Sequence, residues 1–193
     1  MDLNQLILET RTIRRFEQKP IDSKILREMI ENARISPSAA NAQPLRYVVV
    51  SKKDLVEKIQ PLVHWAAALP KELGTPKIGE QPVAFVTVSK IPNANSFSDI
   101  DVGLAAQNMI LTARNHGIGA CIMASIDREK IKSILGIAED LRIVIALGYP
   151  AHESHIVEVD KSREKPLNYF LDDQKNYFVP KRSFDEICRM EVD

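Results

Sequence analysis

A helix rich in apolar and small residues on nearly every face lies at the middle of this chain. Between Ile100 and His116, small or apolar residues such as Val102, Gly103, Leu104, Ala105, Ala106 and Met109 fall on nearly every side. Such a helix has no side to give to water and must be covered all round, in a core or at a subunit interface. Whatever the chain folds into has to bring layers to it. Gly117-Ile118-Gly119 ends the helix and leads into Ala120–Ala124, which reads as a strand.

The neighbouring segments supply those layers. Asp22 is a natural N-cap for a helix whose Ile25, Leu26, Met29, Ile30 and Ala33 follow the three-four spacing of one buried face. Pro37 disfavours helical geometry in the residue before it, so this helix should stop near Ser36. The β-branched runs at 47–50, 83–88 and 141–147 read as buried strands. Asp127 caps another helix, closed by Gly136. Residues 3–9 form a short apolar helix, and 53–80 hold a helical pattern broken around Pro70, Gly74, Pro76 and Gly79, as in a loop or lid. The stretch from about 150 to 180 has few apolar residues for its length and reads as a loose extension better buried against a partner subunit. A last helix is expected from Phe184 to Met190. No repeat or linker interrupts residues 1–193, which read as one domain of helices and strands.

Composition removes several classes of function. Lys and Arg total 26 and Asp and Glu total 26, so there is no basic excess of the kind that nucleic acid or anionic lipid partners call for. No segment reaches the roughly 18 apolar residues that span a bilayer, and the N-terminus lacks the pattern of a signal peptide. Cys121 and Cys188 form neither a metal spacing nor a disulfide framework. These points place the protein in the cytoplasm, with no nucleic-acid and no membrane partner. Gly117-Ile118-Gly119 joins a helix to a strand, the reverse of a dinucleotide fingerprint. No P-loop and no nucleophile elbow is present. His152 and His155 sit in a polar loop without an obvious third ligand and read as surface histidines, so no metal site is assigned. An enzyme built from this chain would leave its hard chemistry to a bound cofactor.

Three segments remain. Arg11-Thr12-Ile13-Arg14-Arg15 is either a solvated charge run or a phosphate holder, since arginine offers forked donors and permanent charge. Pro37-Ser38-Ala39-Ala40-Asn41 is either a plain loop or one whose small side chains let backbone N–H groups approach a flat ligand. Lys181-Arg182 is either surface charge or a further anion contact.

Taken in order, RTIRRF (11–16), SPSAANAQPLRYVVV (36–50), DVGLAAQNMILTARNHGIG (101–119) and VPKRSFDEI (179–187) resemble the nitroreductase family over nearly the whole chain. The resemblance implies an α+β fold with a central mixed β-sheet flanked by helices, in an intertwined homodimer with FMN at the subunit interface. It implies that Arg11 and Thr12 hold the FMN phosphate with Lys181 and Arg182. Arg14 would approach the pyrimidine side of the ring, where a fixed cation favours the reduced flavin. Pro37, Ser38, Ala39 and Asn41 would reach the flavin, commonly from the other subunit, and the backbone of Ala124 and Ser125 would lie near N5, beside Ile122 and Met123.

The implied chemistry is ping-pong hydride transfer from NAD(P)H through flavin N5 to nitroaromatic, quinone or related small acceptors, with no side chain nominated as catalytic acid or base. His64 and Trp65 could line the acceptor pocket, and an interfacial Trp65 is the alternative. Thr10 stands where many members carry another arginine, Leu45 replaces a common tryptophan, and Ile122 replaces a common aromatic. Alternative activities are those of an ene-reductase, a dehalogenase, an oxidase, or a flavin-binding sensor or reservoir. The broken 61–80 segment is too short for the long ordered lid that dehalogenation would favour.

Overall fold

The computed structural model describes residues 2–191. Its spine is strand β5 (Asp140–Pro150). Ala146 of β5 faces Phe85 of β3 (Ala84–Lys90) on one side and Cys121 of β4 (Gly119–Met123) on the other. Strand β2 (Leu45–Val50) continues the sheet beyond β3, and the two-residue β1 (Phe16–Glu17) pairs with Tyr149 and Pro150. These ladders are antiparallel. The mixed character expected of the sheet enters through one parallel bridge, Thr12 to Ala120.

The pleat divides the core in two, because successive side chains on a strand point to opposite faces. Phe85, Val144 and Ala146 join one cluster with Ile13, Phe16, Ile59, Met123 and Ile131. Ala84, Val86, Val88, Ile145 and Leu147 join the other, covered by α2 (Ser23–Arg34) and α5 (Ser98–Asn115). The caps act as expected: Asp22 accepts the Lys24 N–H at the start of α2, and Asp127 accepts the Lys130 N–H at the start of α6 (Arg128–Leu135). Polar pairs also join α2 and the turn after it to α5, with Asn108 Nδ2 donating to Ser36 Oγ at 2.7 Å and Asn32 Nδ2 donating to Thr112 Oγ1 at 2.8 Å.

Several expectations need correction. Of the two covers expected for helix α5, core or subunit interface, this chain supplies the core on one side: Ala105, Ala106, Met109 and Ala113 are buried, while Ile100 is 59% and Leu104 41% exposed. A single chain brings only one layer to it. Helix α1 (Leu3–Glu9) likewise buries none of its residues, and Leu3, Ile7 and Leu8 are exposed.

The tail is not a loose extension. It folds into a small sheet in which β6 (Ser154–Glu158) pairs parallel, and β7 (Phe170–Leu171) antiparallel, with β8 (Tyr177–Lys181). Aromatic rings make up for its low apolar density, since Phe170 stacks on Phe178 with centroids 5.3 Å apart and Tyr177 is wholly buried. The final helix, α7 (Phe184–Ile187), stops before Met190, and Cys188 lies just past its end. Among the described residues, no helix is long and apolar enough to cross a membrane.

Candidate functional site

The arginine segment is pressed onto the sheet by two glycines. A Cβ on Gly119 would stand 2.6 Å from Ile13 Cγ1, and one on Gly148 would stand 2.8 Å from Phe16 Cβ. Only bare backbone at these positions lets residues 12–16 lie so close, and the Ile13 N–H donates to the Ala120 carbonyl at 2.9 Å. Ile13 and Phe16 are buried, each stabilising the fold by about 1.5–3 kcal/mol. With Ile13 turned inward, Arg11 and Thr12 line a cleft of about 120 Å³ with Ala120 and Ile122, the outward residues of β4.

Arg11 also borders a larger cleft of about 700 Å³, floored by Pro150 and His152. Its Nη2 donates to the Ile7 carbonyl at 2.8 Å, while its Nε is buried without a partner. Burial pushes the Arg11 pKa down, yet a guanidinium stays charged at neutral pH. A buried, unpaired donor is costly unless something supplies an acceptor. That favours an anion beside Arg11.

Arg14 and Arg15 pack on the tail, and the Arg14 Nε, like that of Arg11, is buried without a partner. The Arg14 guanidinium lies 4.4 Å from the Tyr169 ring centroid and 4.9 Å from that of Tyr177, and Arg15 hydrogen-bonds the Lys175 carbonyl. Cation–π contact with the tail therefore holds Arg14 within one chain. Its backbone is fixed by His152, whose Nε2 accepts the Arg14 N–H at 2.9 Å while its Nδ1–H donates to the Glu153 carbonyl at 2.8 Å. This arrangement requires a neutral imidazole. Burial first, then Arg15 and Arg14, push the His152 pKa down to about 4. His152 is thus a buried structural residue and not the surface histidine expected from its polar loop, whereas His155 is exposed.

Ala124 and Ser125 follow β4 and are exposed. The insert docks directly on them: the His64 N–H donates to the Ser125 carbonyl at 3.0 Å, and Val63 bridges Ile126. Between α3 (Lys53–Ile59) and α4 (Lys71–Gly74), His64 and Trp65 line a cleft of about 870 Å³. Trp65 also meets Phe16 edge-on at 6.4 Å, so it serves the core and the cleft together.

The Pro37–Asn41 loop carries backbone strain. Ala40, Asn41 and Gln43 all have positive φ, at 51°, 52° and 47°, a region that is uncommon for residues other than glycine and that asparagine tolerates best. Hydrogen bonds hold it. The Ala39 N–H donates to Asp101 Oδ1 at 3.1 Å, and the Gln43 N–H donates to Ser38 Oγ at 3.1 Å. Asp101 is a buried carboxylate with Oδ2 unpaired. Pro37 and Ser38 line a separate cleft of about 140 Å³ with Arg34, Arg46, Tyr47 and Asp101.

Within one chain Arg14 packs on the tail aromatics and lines neither cleft that Arg11 lines, while eight other expected site residues form three groups. Arg11 and Thr12 share one cleft, Ala124 and Ser125 adjoin the insert, and Pro37, Ser38, Ala39 and Asn41 belong to the strained loop. Lys181 and Arg182, at the exposed end of β8, line neither cleft that Arg11 lines.

Sequence reasoning missed Arg114, His152 and Asp101. Arg114, on the last turn of α5, borders both Arg11 clefts and pairs with Glu9 at 2.6 Å. Its sequence position gave a signal: a cation in the final turn of a helix that leads straight into β4. His152 gave none, because its burial depends on the folding of the tail.

Comparison with known proteins identifies the family and the fold. The model of the nitroreductase family matches residues 7–149. A protein of Methanothermobacter thermautotrophicus, provisionally named NADH dehydrogenase/NAD(P)H nitroreductase, is 31% identical over 162 residues, covering 78% of this chain and 78% of its own. Among solved structures, a nitroreductase family protein of Clostridium novyi NT aligns with a TM-score of 0.66 at 23% identity, covering 96% of this chain and 98% of that one. A provisionally named nitroreductase from Desulfovibrio desulfuricans, solved in complex with FMN, has a TM-score of 0.66 at 22% identity, covering 79% and 88%. Its match to the family model spans most of the sequence, and this chain belongs to the nitroreductase family.

Proposed function

We propose that this protein is an FMN-dependent oxidoreductase using NAD(P)H to reduce nitroaromatic, quinone or related small acceptors. The observation that carries the reading is the Arg11–Thr12 cleft, where a charged donor with a buried, unpaired Nε and a hydroxyl lie across the outward face of β4. A phosphate fits that donor set. The small side chains of Ala120, Ala124 and Ser125 along the same edge suit a flat ring. FMN bound there supplies hydride acceptance and donation at N5 in a ping-pong cycle. The chain's own work is to hold the phosphate, orient the ring and shape the acceptor cleft.

In this reading Arg11 and Thr12 bind the phosphate with Lys181 and Arg182, and Ala124 and Ser125 flank the ring. Arg14 lies toward its pyrimidine side. Pro37, Ser38, Ala39 and Asn41 arrive from a partner subunit. The exposed apolar faces of α5 and α1 support an intertwined homodimer, since Ile100, Leu104, Leu3 and Leu8 are all exposed in one chain. Among the described residues, nothing beyond its chain neighbours and its own helix turn lies within 4 Å of where a Gly103 Cβ would be, so that face can accept a close neighbour. Both core clusters share one sheet, which supports a single domain. The unpaired Cys121 and Cys188 suit the cytoplasm.

The test is an anaerobic absorbance spectrum of the FMN-loaded protein. Flavin bands that bleach with NADPH or NADH, and return with a nitroaromatic or quinone, are the expected result. Bands that persist through both nucleotides would overturn the reductase reading in favour of a flavin-binding protein with little turnover.

A further inference from the structure

We infer that Arg114 is a further cation for the FMN phosphate, beside Arg11 in the same clefts and held by Glu9 until the phosphate takes its place. The inference rests on the FMN reading above. A phosphate monoester carries a charge of about −1.5 to −2 at neutral pH, and Lys181 and Arg182 line neither cleft that Arg11 lines, so within those clefts Arg11 alone leaves much of that charge unmatched. Thr10 adds nothing, because its hydroxyl is spent on the Leu6 carbonyl at 2.6 Å. Arg114 is the other cation bordering both clefts that Arg11 borders.

Two features of Arg114 point the same way. Its Nε is buried without a partner, like those of Arg11 and Arg14. Its Nη2 meets Glu9 Oε2 at 2.6 Å, and Glu9 lines the same two clefts. A dianion entering there faces a carboxylate, so the two compete for one guanidinium. Glu9 has somewhere to go: Gln5 Nε2, one turn back on α1, already donates to Glu9 Oε1 at 2.6 Å. Gln5 can keep Glu9 while Arg114 turns its fork to the phosphate. Forked pairing with a phosphate is the contact for which a guanidinium is best shaped.

The experiment titrates apoprotein with FMN and, in parallel, with riboflavin, which has the ring but no phosphate. Arg114→Ala is expected to weaken FMN by about ten- to a hundredfold, the range of a lost charge-assisted contact, and to leave riboflavin unchanged. Arg114→Lys, which keeps the charge and the Glu9 pairing, is expected to fall between. Glu9→Gln is expected to tighten FMN, because the competing charge is gone.

A purely structural tie between α1 and α5 makes the opposite forecast. Glu9→Gln would then weaken FMN as Arg114→Ala does, and riboflavin would weaken with it. Either result overturns the inference, as does an Arg114→Ala protein with wild-type FMN affinity. Wild-type protein that binds neither flavin overturns the FMN reading and takes this inference with it.

Discussion

Two segments proposed to touch the same flavin are held in opposite ways. Residues 11–16 are positioned by packing, with Ile13 against Gly119 and Phe16 against Gly148. Residues 37–43 are positioned by hydrogen bonds to Asp101 and Ser38 against a backbone at three positive φ angles. Packing gives a rigid phosphate cradle that should tolerate no added atom. Strain held by a few polar contacts gives a loop that is cheaper to deform. The difference suits the proposed roles: a charged anchor has to stay in place, while a loop offered to a partner subunit has to adapt.

The largest effect that could break this comparison is at Gly119. Gly119→Ala should destabilise the fold by about 1–3 kcal/mol, because the new methyl collides with Ile13 close to its backbone. FMN retention should fall as residues 11–14 are displaced. Thermal melting and FMN titration check both, and a fully tolerated alanine would mean that packing does not hold the cradle.

A similar magnitude comes from pH. His152 titrates at about 4 in the folded chain, against about 6.5 when exposed. As pH falls from about 6.5 towards 4, the unfolded chain takes up a proton that the folded chain refuses. Stability should therefore be lost across that window by roughly 3 kcal/mol and be fully present above it. Denaturant melts at pH 7 and pH 4.5 should show the loss, and His152→Gln should flatten it. The same acid loss in the variant would mean that other groups cause it.

Effects on the strained loop should be smaller. Asp101→Ala removes the acceptor for the Ala39 N–H and should cost about 1–2 kcal/mol. The loop should also gain hydrogen exchange or protease sensitivity. Ala40→Gly should stabilise by about 0.5 kcal/mol, since glycine takes φ of 51° without strain but loses more chain entropy on folding. Destabilisation by Ala40→Gly would show that the loop is not strained where its dihedral angles place the strain.

The same contrast explains what could be read from the sequence. The strands, the Asp22 and Asp127 caps, and the site segments in their chain order follow from local rules of period, capping and loop composition. The resemblance, carried by quoted motifs, joined them into one proposed site. What escaped was tertiary. Nothing local to His152 signals that Tyr177 and the Arg14 backbone will enclose it, and nothing in the sparse 150–180 stretch signals a sheet built on aromatic stacking. The apolar-rich α5 was legible as needing cover, but not which half would lack it within one chain. Arg114 went unread because its partner, Glu9, lies on a different helix far back in the sequence.

The measurement that tests the central claim most directly is FMN affinity of the wild-type protein beside that of Arg11→Ala, by quenching of flavin fluorescence. The account predicts one FMN per chain in the wild type and a loss of about tenfold or more in the variant, the scale of a charge-assisted phosphate contact. Equal affinities in the two proteins, or no FMN bound to either, would contradict it.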